Sequence, residues 1–303
     1  MAKRHRAVAM RAGIAVSVLA LTVAGCSSGK SGGSGGGKTL TIGVIPGWTD
    51  ETSTAYLLQN VLEAKGYTVD ITKLSDAAPL YTALANGDID LVTSAWTERT
   101  HKAYVAKYPG KFEDLDTYYA EAKLFLGVPT YSKMTSITDL PGNASALDGK
   151  IIGIEPGAGL TATAQDKVMP AYGLNSKFKL VTSSTTAMLT ELKKATAAKK
   201  DIVVTLWKPF WANQAFPVRP LEDPKGAFGA SEGLHELAHT GFSKSHPEVA
   251  NLLKHFKLSD AQYGSLENTV VNKYGEGKEP QAVAAWLKAN PDFAPALEKY
   301  LTK

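Results

Sequence analysis

The sequence predicts an α/β protein built around doubly wound sheets. Strand-like and helix-like segments alternate over residues 39–94, and the same alternation begins again at residue 150 and continues to residue 206. Alternation of this kind is typical of parallel strands joined by helices that cover the sheet. The last strand of each unit leads into a tryptophan, and ligands of open α/β sheets bind beyond the carboxyl ends of the strands.

The first unit contains three predicted strands and two predicted helices. Residues 39–45 (TLTIGVI), 67–74 (YTVDITKL) and 90–94 are rich in β-branched and apolar residues and therefore predict strands. Residues 55–65 place apolar side chains three and four positions apart, which predicts a helix that ends at a glycine. A second helix is predicted over residues 76–85, where an Asn-Gly pair follows it.

The second unit repeats the pattern after a connecting strand. Ser183 or Ser184 is expected to cap its second helix, since a serine hydroxyl accepts from the first free N–H groups of a helix. The tail over 246–303 is polar and predicts helices, with Trp286 in their core. The predicted segments are strands at 123–129, 150–154, 177–181 and 202–206, and helices that end near 171 and cover 184–199.

The first 25 residues have the pattern of a secretory signal peptide. Basic residues precede a run of small apolar residues at 13–24, which is too short to span a bilayer comfortably. The run ends in Val-Ala-Gly-Cys, which resembles a bacterial lipobox, and Cys26 is the only cysteine of the chain. Residues 26–38 contain SSGKSGGSGGG and predict a flexible, lipid-anchored tether. The folded part is therefore expected outside the cytoplasm, at a membrane surface.

Composition excludes several classes of function. Without the four basic residues of the signal segment, 29 basic residues face 29 acidic ones, which argues against a nucleic-acid partner. The single cysteine excludes an internal disulfide framework. The sequence has no P-loop. The pattern HExxH occurs once, at residues 235–239, and its two histidines are among six that show no metal-ligand spacing with the single cysteine. His235 and His239 are four apart and could share one face of a helix, but surface or core positions are favoured.

Candidate binding residues lie at the strand ends. Trp48, Trp96 and Trp207 each follow or end a predicted strand, and His101 comes five residues after Trp96. Any one of these tryptophans alone could be core, but three in equivalent places favour a site. The segment Gly157–Ala162 fits the dinucleotide pattern G-x-G-x-x-A, yet no acid lies where the ribose would need one, so we expect no nucleotide. It is either a plain turn or a helix start whose free N–H groups hold an anion.

These residue types together suggest a small zwitterion. A cation whose charge is spread over methyl groups cannot donate a hydrogen bond, so it suits a box of aromatic faces. Free N–H groups suit a carboxylate. Because the sequence shows no nucleophile beside them, the residues alone favour binding of a betaine as a hypothesis over catalysis.

The same stretches resemble the glycine betaine/choline/proline-betaine substrate-binding proteins of ABC importers. The resemblance covers roughly residues 39–275 and rests on SAWTERTHKAY, GIEPGAGL, IVVTLWKPFW and LEDPKGAFG. It implies a two-lobe clamp of the periplasmic-binding-protein type II, with a hinge between the lobes. Lobe I would contain residues 39–128 and 238–303, and lobe II residues 129–237.

The resemblance also implies roles for individual residues. Trp48, Trp96 and Trp207 would form a cage around a trimethylammonium group. His101 and the backbone N–H groups of Gly159 and Leu160 would hold the carboxylate. The protein would work as a monomer without cofactor or metal, and it would deliver its solute to ABC permease subunits.

The chain departs from the family pattern at two positions and leaves alternatives open. The family often has glycine and histidine where this chain has Leu206 and Phe210. Tyr118 and Tyr119 could extend the aromatic box, although structural roles are favoured, and the sequence does not show whether Asp50 or Glu51 touches a ligand. The ligand could also be choline, carnitine or another osmolyte. A lipid-anchored α/β enzyme and an extracellular sensor module are the less favoured readings.

Overall fold

The computed structural model describes residues 38–301. Nine strands and twelve short or medium helices alternate along this part of the chain. The strands are β1 (Thr39–Val44), β2 (Thr68–Lys73), β3 (Leu91–Ala95), β4 (Phe112–Pro129), β5 (Lys150–Ile152), β6 (Lys179–Val181), β7 (Val204–Lys208), β8 (Val218–Pro220) and β9 (Glu232–His239).

The helices lie between these strands and in the C-terminal tail. Their bounds are α1 (Thr49–Glu63), α2 (Ala77–Asn86), α3 (Lys102–Lys107), α4 (Gly159–Thr163), α5 (Met169–Ala171), α6 (Thr185–Ala197), α7 (Ala212–Ala215), α8 (Phe242–Ser245), α9 (Pro247–His255), α10 (Asp260–Glu267), α11 (Glu279–Ala289) and α12 (Phe293–Glu298). Within residues 38–301, no helix has both the length and the apolar character needed to cross a membrane.

Two parallel groups of strands form the ends of the sheet. Strand β1 pairs in parallel with β2 and β3, and β5 pairs in parallel with β6 and β7. These groups are the two β/α units expected from the sequence. Long antiparallel strands connect them, in the order β2-β1-β3-β9-β4-β7-β5-β6, with β8 beside β4. The sheet is therefore mixed rather than wholly parallel.

Strand β4 passes from one group to the other. Its first part pairs with β9 as far as Ala122, opposite Glu232. From Lys123 onward it pairs with β7 instead. We call the group containing β1, β2, β3 and β9 the first lobe, and the group containing β5, β6, β7 and β8 the second lobe. The lobe limits expected at 128/129 and 237/238 remain predictions.

Strand β9 was not expected from the sequence. His235 and His239 lie on this strand and not on a helix, so the helical alternative was wrong. The sequence Glu-Gly-Leu-His-Glu-Leu-Ala-His has no alternating polarity, because the strand is central and several polar side chains on it are buried. His235 hydrogen-bonds Asp114 through Nδ1 at 2.9 Å, which gives it a structural partner.

Local capping agrees with the sequence. The Ser184 hydroxyl accepts from the backbone N–H of Ala187 at 3.2 Å and so caps α6. Asp76 accepts from Ala77 N–H at the start of α2, and Gly87 ends that helix in a left-handed conformation with φ of 77°. Trp286 is 2 % exposed, which confirms its predicted place in the core.

An acid lies unpaired in the centre of the sheet. Glu236 on β9 is fully buried, and neither of its carboxyl oxygens has a hydrogen-bond partner within the described residues. Burial in this environment raises the pKa of Glu236 well above its ordinary value of 4.5, since the charged form loses its hydration. The folded protein therefore holds a proton on Glu236 under conditions where the unfolded chain would release it.

This proton links stability to pH. As the pH rises above 4.5, the unfolded chain is stabilised by ionisation while folded Glu236 stays neutral, so the free energy of unfolding falls. Each pH unit crossed in this way costs about 1.4 kcal/mol. We expect Glu236→Gln, which has the shape and neutrality of the protonated acid, to raise the thermal midpoint at pH 7 by at least about 2 °C. The gain should disappear near pH 4.

Calorimetry at both pH values tests this expectation. Glu63→Gln is the matched control, because Glu63 is exposed on α1. Equal midpoints for Glu236→Gln and the unchanged protein at pH 7 would contradict a protonated Glu236.

Candidate functional site

A cavity lies at the carboxyl ends of the strands, between the two lobes. Together with the space open to solvent it measures about 310 Å³. Its wall consists of Trp48, Asp50, Trp96, Thr100, His101, Leu124, Ile154, Ala158, Gly159, Leu160 and Trp207. The wall includes all six residues predicted from the sequence to bind a ligand, namely Trp48, Trp96, His101, Gly159, Leu160 and Trp207. Their contact with a ligand remains a prediction.

The fold brings these residues together because each follows or ends a strand. Trp48 lies between β1 and α1, and Trp96 comes directly after β3. Trp207 belongs to β7 itself and does not follow it, which corrects the predicted end of that strand by two residues. Gly159 begins α4, shortly after β5. The site therefore collects neighbouring strand ends, as open α/β sheets do.

The three tryptophans present buried ring faces. Trp48, Trp96 and Trp207 are 8 %, 5 % and 4 % exposed. The Trp48 ring stacks on His101, with 5.7 Å between the ring centroids and 12° between the planes. The Trp207 ring stacks on the Phe210 ring, with 3.8 Å between the ring centroids. Phe210, which departs from the family pattern, therefore supports one face of the Trp207 indole.

Each lobe contains a carboxyl group that accepts a hydrogen bond from an indole of the other lobe. The Trp48 Nε1–H of the first lobe donates to Glu155 Oε2 of the second lobe at 3.0 Å. The Trp207 Nε1–H of the second lobe donates to Asp50 Oδ1 of the first lobe at 3.2 Å. We call these two contacts the cross-cleft indole bonds. They direct the polar edge of each indole toward protein, while both rings line the cavity.

Glu155 was not predicted from the sequence as a site residue, although it lies in the stretch GIEPGAGL. It is 6 % exposed. It accepts three hydrogen bonds, from Trp48 Nε1–H and from the backbone N–H and the hydroxyl of Thr185, the latter two at 2.8 Å each. All three partners donate, so the carboxylate serves them as an acceptor only.

Asp50 lines the cavity, whereas its neighbour Glu51 does not. The Asp50 carboxyl accepts from the Ser94 hydroxyl and from Trp207. Burial raises the pKa of Asp50 to about 6, partly offset by these hydrogen bonds. Glu51 accepts from the backbone N–H of Ile45 at 2.6 Å and lies away from the cavity.

Tyr118 and Tyr119 are structural and do not line the cavity. The Tyr118 hydroxyl bonds that of Tyr263 at 2.9 Å, and Tyr119 donates to Asp260 Oδ1 at 2.5 Å. Both side chains are buried and belong to β4. The favoured reading of these residues from the sequence agrees with these contacts.

His101 is held as a neutral ring. Burial lowers its pKa from 6.5 to about 3, so it carries no charge near neutral pH. Its Nδ1 accepts from the backbone N–H of Trp96 at 3.2 Å. A neutral imidazole carries one N–H, so the proton lies on Nε2. Nε2 has no hydrogen-bond partner among residues 38–301 and can donate to a ligand in the cavity.

Two backbone donors lie on the opposite wall. The N–H groups of Gly159 and Leu160, the first two of α4, have no hydrogen-bond partner in the described part of the chain. Gly159 also permits a close approach of the lobes, since a Cβ there would overlap the carbonyl oxygen of Thr100 and lie 2.6 Å from its Cγ2. The polar end of the cavity therefore offers donors from both lobes.

Further contacts join the lobes beside the cavity. The Gly157 N–H donates to Asp76 Oδ2 at 2.9 Å, and the Tyr104 hydroxyl donates to the Gly157 carbonyl at 2.5 Å. Across the described residues, no cluster of three or more His, Cys, Asp or Glu side chains has the arrangement of a metal site. The arrangement can enclose a small molecule with one cationic and one anionic end.

Comparison with known proteins agrees with this chemistry. The family model OpuAC, the substrate-binding domain of ABC-type glycine betaine transport systems, matches residues 38–289. The glycine betaine/carnitine transport binding protein GbuC of Listeria monocytogenes is 32 % identical over 143 residues. That match covers 47 % of this chain, which spans 46 % of the length of the Listeria protein.

Solved structures are similar over longer stretches. Lactococcal OpuAC, in a closed conformation with glycine betaine, is 30 % identical with a TM-score of 0.78, and the match covers 86 % of this chain and 98 % of that one. A choline-binding protein of an ABC transporter, in complex with choline, is 27 % identical with a TM-score of 0.76, covering 88 % and 98 %.

Proposed function

Because the chain belongs to the family of substrate-binding domains of ABC-type glycine betaine transport systems, we propose that it captures glycine betaine and delivers it to the permease of an ABC importer. Members of this family bind solutes outside the cytoplasm, and the family is one of transport proteins and not of enzymes. We extend both properties to this chain. The observation that carries the proposal is the cavity between three indole faces and three hydrogen-bond donors.

The indole faces would hold the trimethylammonium group. Each cation–π contact in a desolvated box contributes roughly 1–2 kcal/mol, so three contribute roughly 3–6 kcal/mol. A micromolar affinity corresponds to about 8 kcal/mol. Contacts at the other end of the ligand would supply the remainder.

The donors would hold the carboxylate. His101 Nε2–H and the N–H groups of Gly159 and Leu160 can donate but cannot accept. A carboxylate accepts from several donors at once, whereas a hydroxyl must also donate its own hydrogen. This end of the cavity therefore favours a betaine over choline. Since the donors and the cage come from both lobes, a bound betaine would favour closure of the clamp.

Choline is the second candidate, because Asp50 also lines the cavity. Its carboxylate would attract a ligand with net positive charge, and it accepts hydrogen bonds, so it would suit the hydroxyl of choline. Carnitine and other osmolytes remain alternatives of the same class. A lipid-anchored α/β enzyme is the alternative from another class, and family membership counts against it.

Intrinsic tryptophan fluorescence tests the proposal directly. We expect titration with glycine betaine to give a saturable change, choline a weaker one and proline little change, because proline has no trimethylammonium group. Tighter binding of choline than of betaine would select the second candidate. A flat response to all three ligands from folded protein would remove the proposed function.

We infer a lipid anchor from the N-terminal sequence. Residues 1–25 would be removed as a signal peptide, and Cys26 would carry the lipid at the start of the tether that ends at residue 38. Cys26 lies outside the described residues. The anchored protein would meet its permease as a monomer at the membrane surface.

A further inference from the structure

The His101 ring has a second partner behind the cavity. The Tyr81 hydroxyl lies 2.8 Å from His101 Nδ1, closer than the Trp96 N–H at 3.2 Å. Tyr81 belongs to α2 and does not line the cavity. Its hydroxyl has no other hydrogen-bond partner among residues 38–301.

The direction of this hydrogen bond follows from the Trp96 contact. A backbone N–H can only donate, so His101 Nδ1 presents its lone pair and not a hydrogen. The Tyr81 hydroxyl, which can donate or accept, must then donate to Nδ1. Both partners therefore stabilise the same tautomer, in which Nε2 carries the hydrogen.

Packing fixes the Tyr81 hydroxyl in place. The side chain is 0 % exposed. Its ring stacks on the ring of Tyr104, with 5.2 Å between the centroids. It also makes T-shaped contacts with the rings of His101 and Phe112, at centroid distances of 5.4 and 6.0 Å. The hydroxyl is therefore presented to Nδ1 by a rigid aromatic cluster, without competition from water.

We propose that Tyr81 is a positioning residue that holds His101 in the tautomer and orientation needed to recognise the carboxylate of the ligand. The role rests on the proposed function, since it acts through a ligand contact of His101. It would make Tyr81 a determinant of selectivity for betaines over quaternary ammonium ions without a carboxylate. Loss of the hydroxyl would leave only the longer contact with the Trp96 N–H, at 3.2 Å, to oppose rotation of the ring or movement of its hydrogen to Nδ1.

Tyr81→Phe removes the hydroxyl and keeps the ring. Calorimetric titration should show glycine betaine affinity about three- to tenfold lower, the usual worth of one such hydrogen bond. Affinity for tetramethylammonium, which has no carboxylate, should change less than about twofold. Tyr172→Phe is the matched control, since Tyr172 also loses a hydroxyl contact, to Asp223, but does not line the cavity.

Equal losses for both ligands would show a general packing defect, and unchanged betaine affinity would show that the hydroxyl is dispensable. Either result would overturn the proposal. If the unchanged protein bound neither ligand, the proposed function would fail, while the tautomer could still be measured without ligand.

Nitrogen NMR of protein with ¹⁵N-labelled histidine provides that measurement. The His101 signals are identified by their absence in His101→Gln. We expect Nε2 to be protonated in the unchanged protein and the Nδ1–H form to increase in Tyr81→Phe. An Nδ1–H tautomer in the unchanged protein, or the same tautomer distribution in Tyr81→Phe, would overturn the proposal independently of binding.

Discussion

Replacing Trp207 with alanine is expected to weaken glycine betaine binding at least about tenfold, the equivalent of about 1.4 kcal/mol. The substitution removes a buried indole face from the cavity wall, and with it one cation–π contact worth roughly 1–2 kcal/mol. It also leaves Asp50 without the indole N–H that approaches it at 3.2 Å. Isothermal titration calorimetry measures the loss.

The same loss is expected for Trp96→Ala, because both indoles line the cavity. Trp211→Phe serves as the control, since Trp211 lies near Phe210 but does not line the cavity. Full affinity in both alanine variants would be incompatible with an aromatic cage at this place.

Gly159→Ala is expected to lower the affinity by about ten- to a hundredfold, because one methyl group would separate the lobes. The added carbon would overlap the Thr100 carbonyl oxygen, which belongs to backbone and cannot turn aside. The Thr100 N–H donates to Glu232 at 3.2 Å, so the segment is fixed from behind. Overpacking of this kind costs typically 1–3 kcal/mol.

The strain exists only when the lobes meet, so the empty variant can relieve it by opening. We therefore expect a nearly unchanged melting temperature without ligand and a smaller rise on addition of betaine. Gly142→Ala is the control, since a Cβ at that position would meet no atom within 4 Å. Normal betaine affinity in Gly159→Ala would show that the lobes do not approach as closely as the structure indicates.

Local sequence patterns predicted the two β/α units and the residues at their strand ends. Strand propensity and helical spacing are properties of short segments, so β1, α1 and β7 could be recognised without knowledge of their neighbours. Trp48 and His101 followed from the rule that ligands bind at strand ends.

Contacts distant in sequence could not be predicted in this way. The cross-cleft indole bonds join residues 107 and 157 positions apart, and no local pattern relates them. Glu236 was hidden for a different reason. The sequence does not distinguish a buried, protonated glutamate from a solvated one, so β9 looked too polar to be a central strand.

The cross-cleft indole bonds make affinity partly a property of the empty protein. They join protein to protein, so they stabilise the shut clamp whether or not a solute is inside. The apparent dissociation constant equals the intrinsic one divided by the fraction of molecules already in the competent shape. Glu155 lies outside the cavity wall, yet it contributes to that fraction through Trp48. Natural variation at Glu155 could therefore adjust the solute concentration at which uptake begins, while every group that touches the solute stays the same.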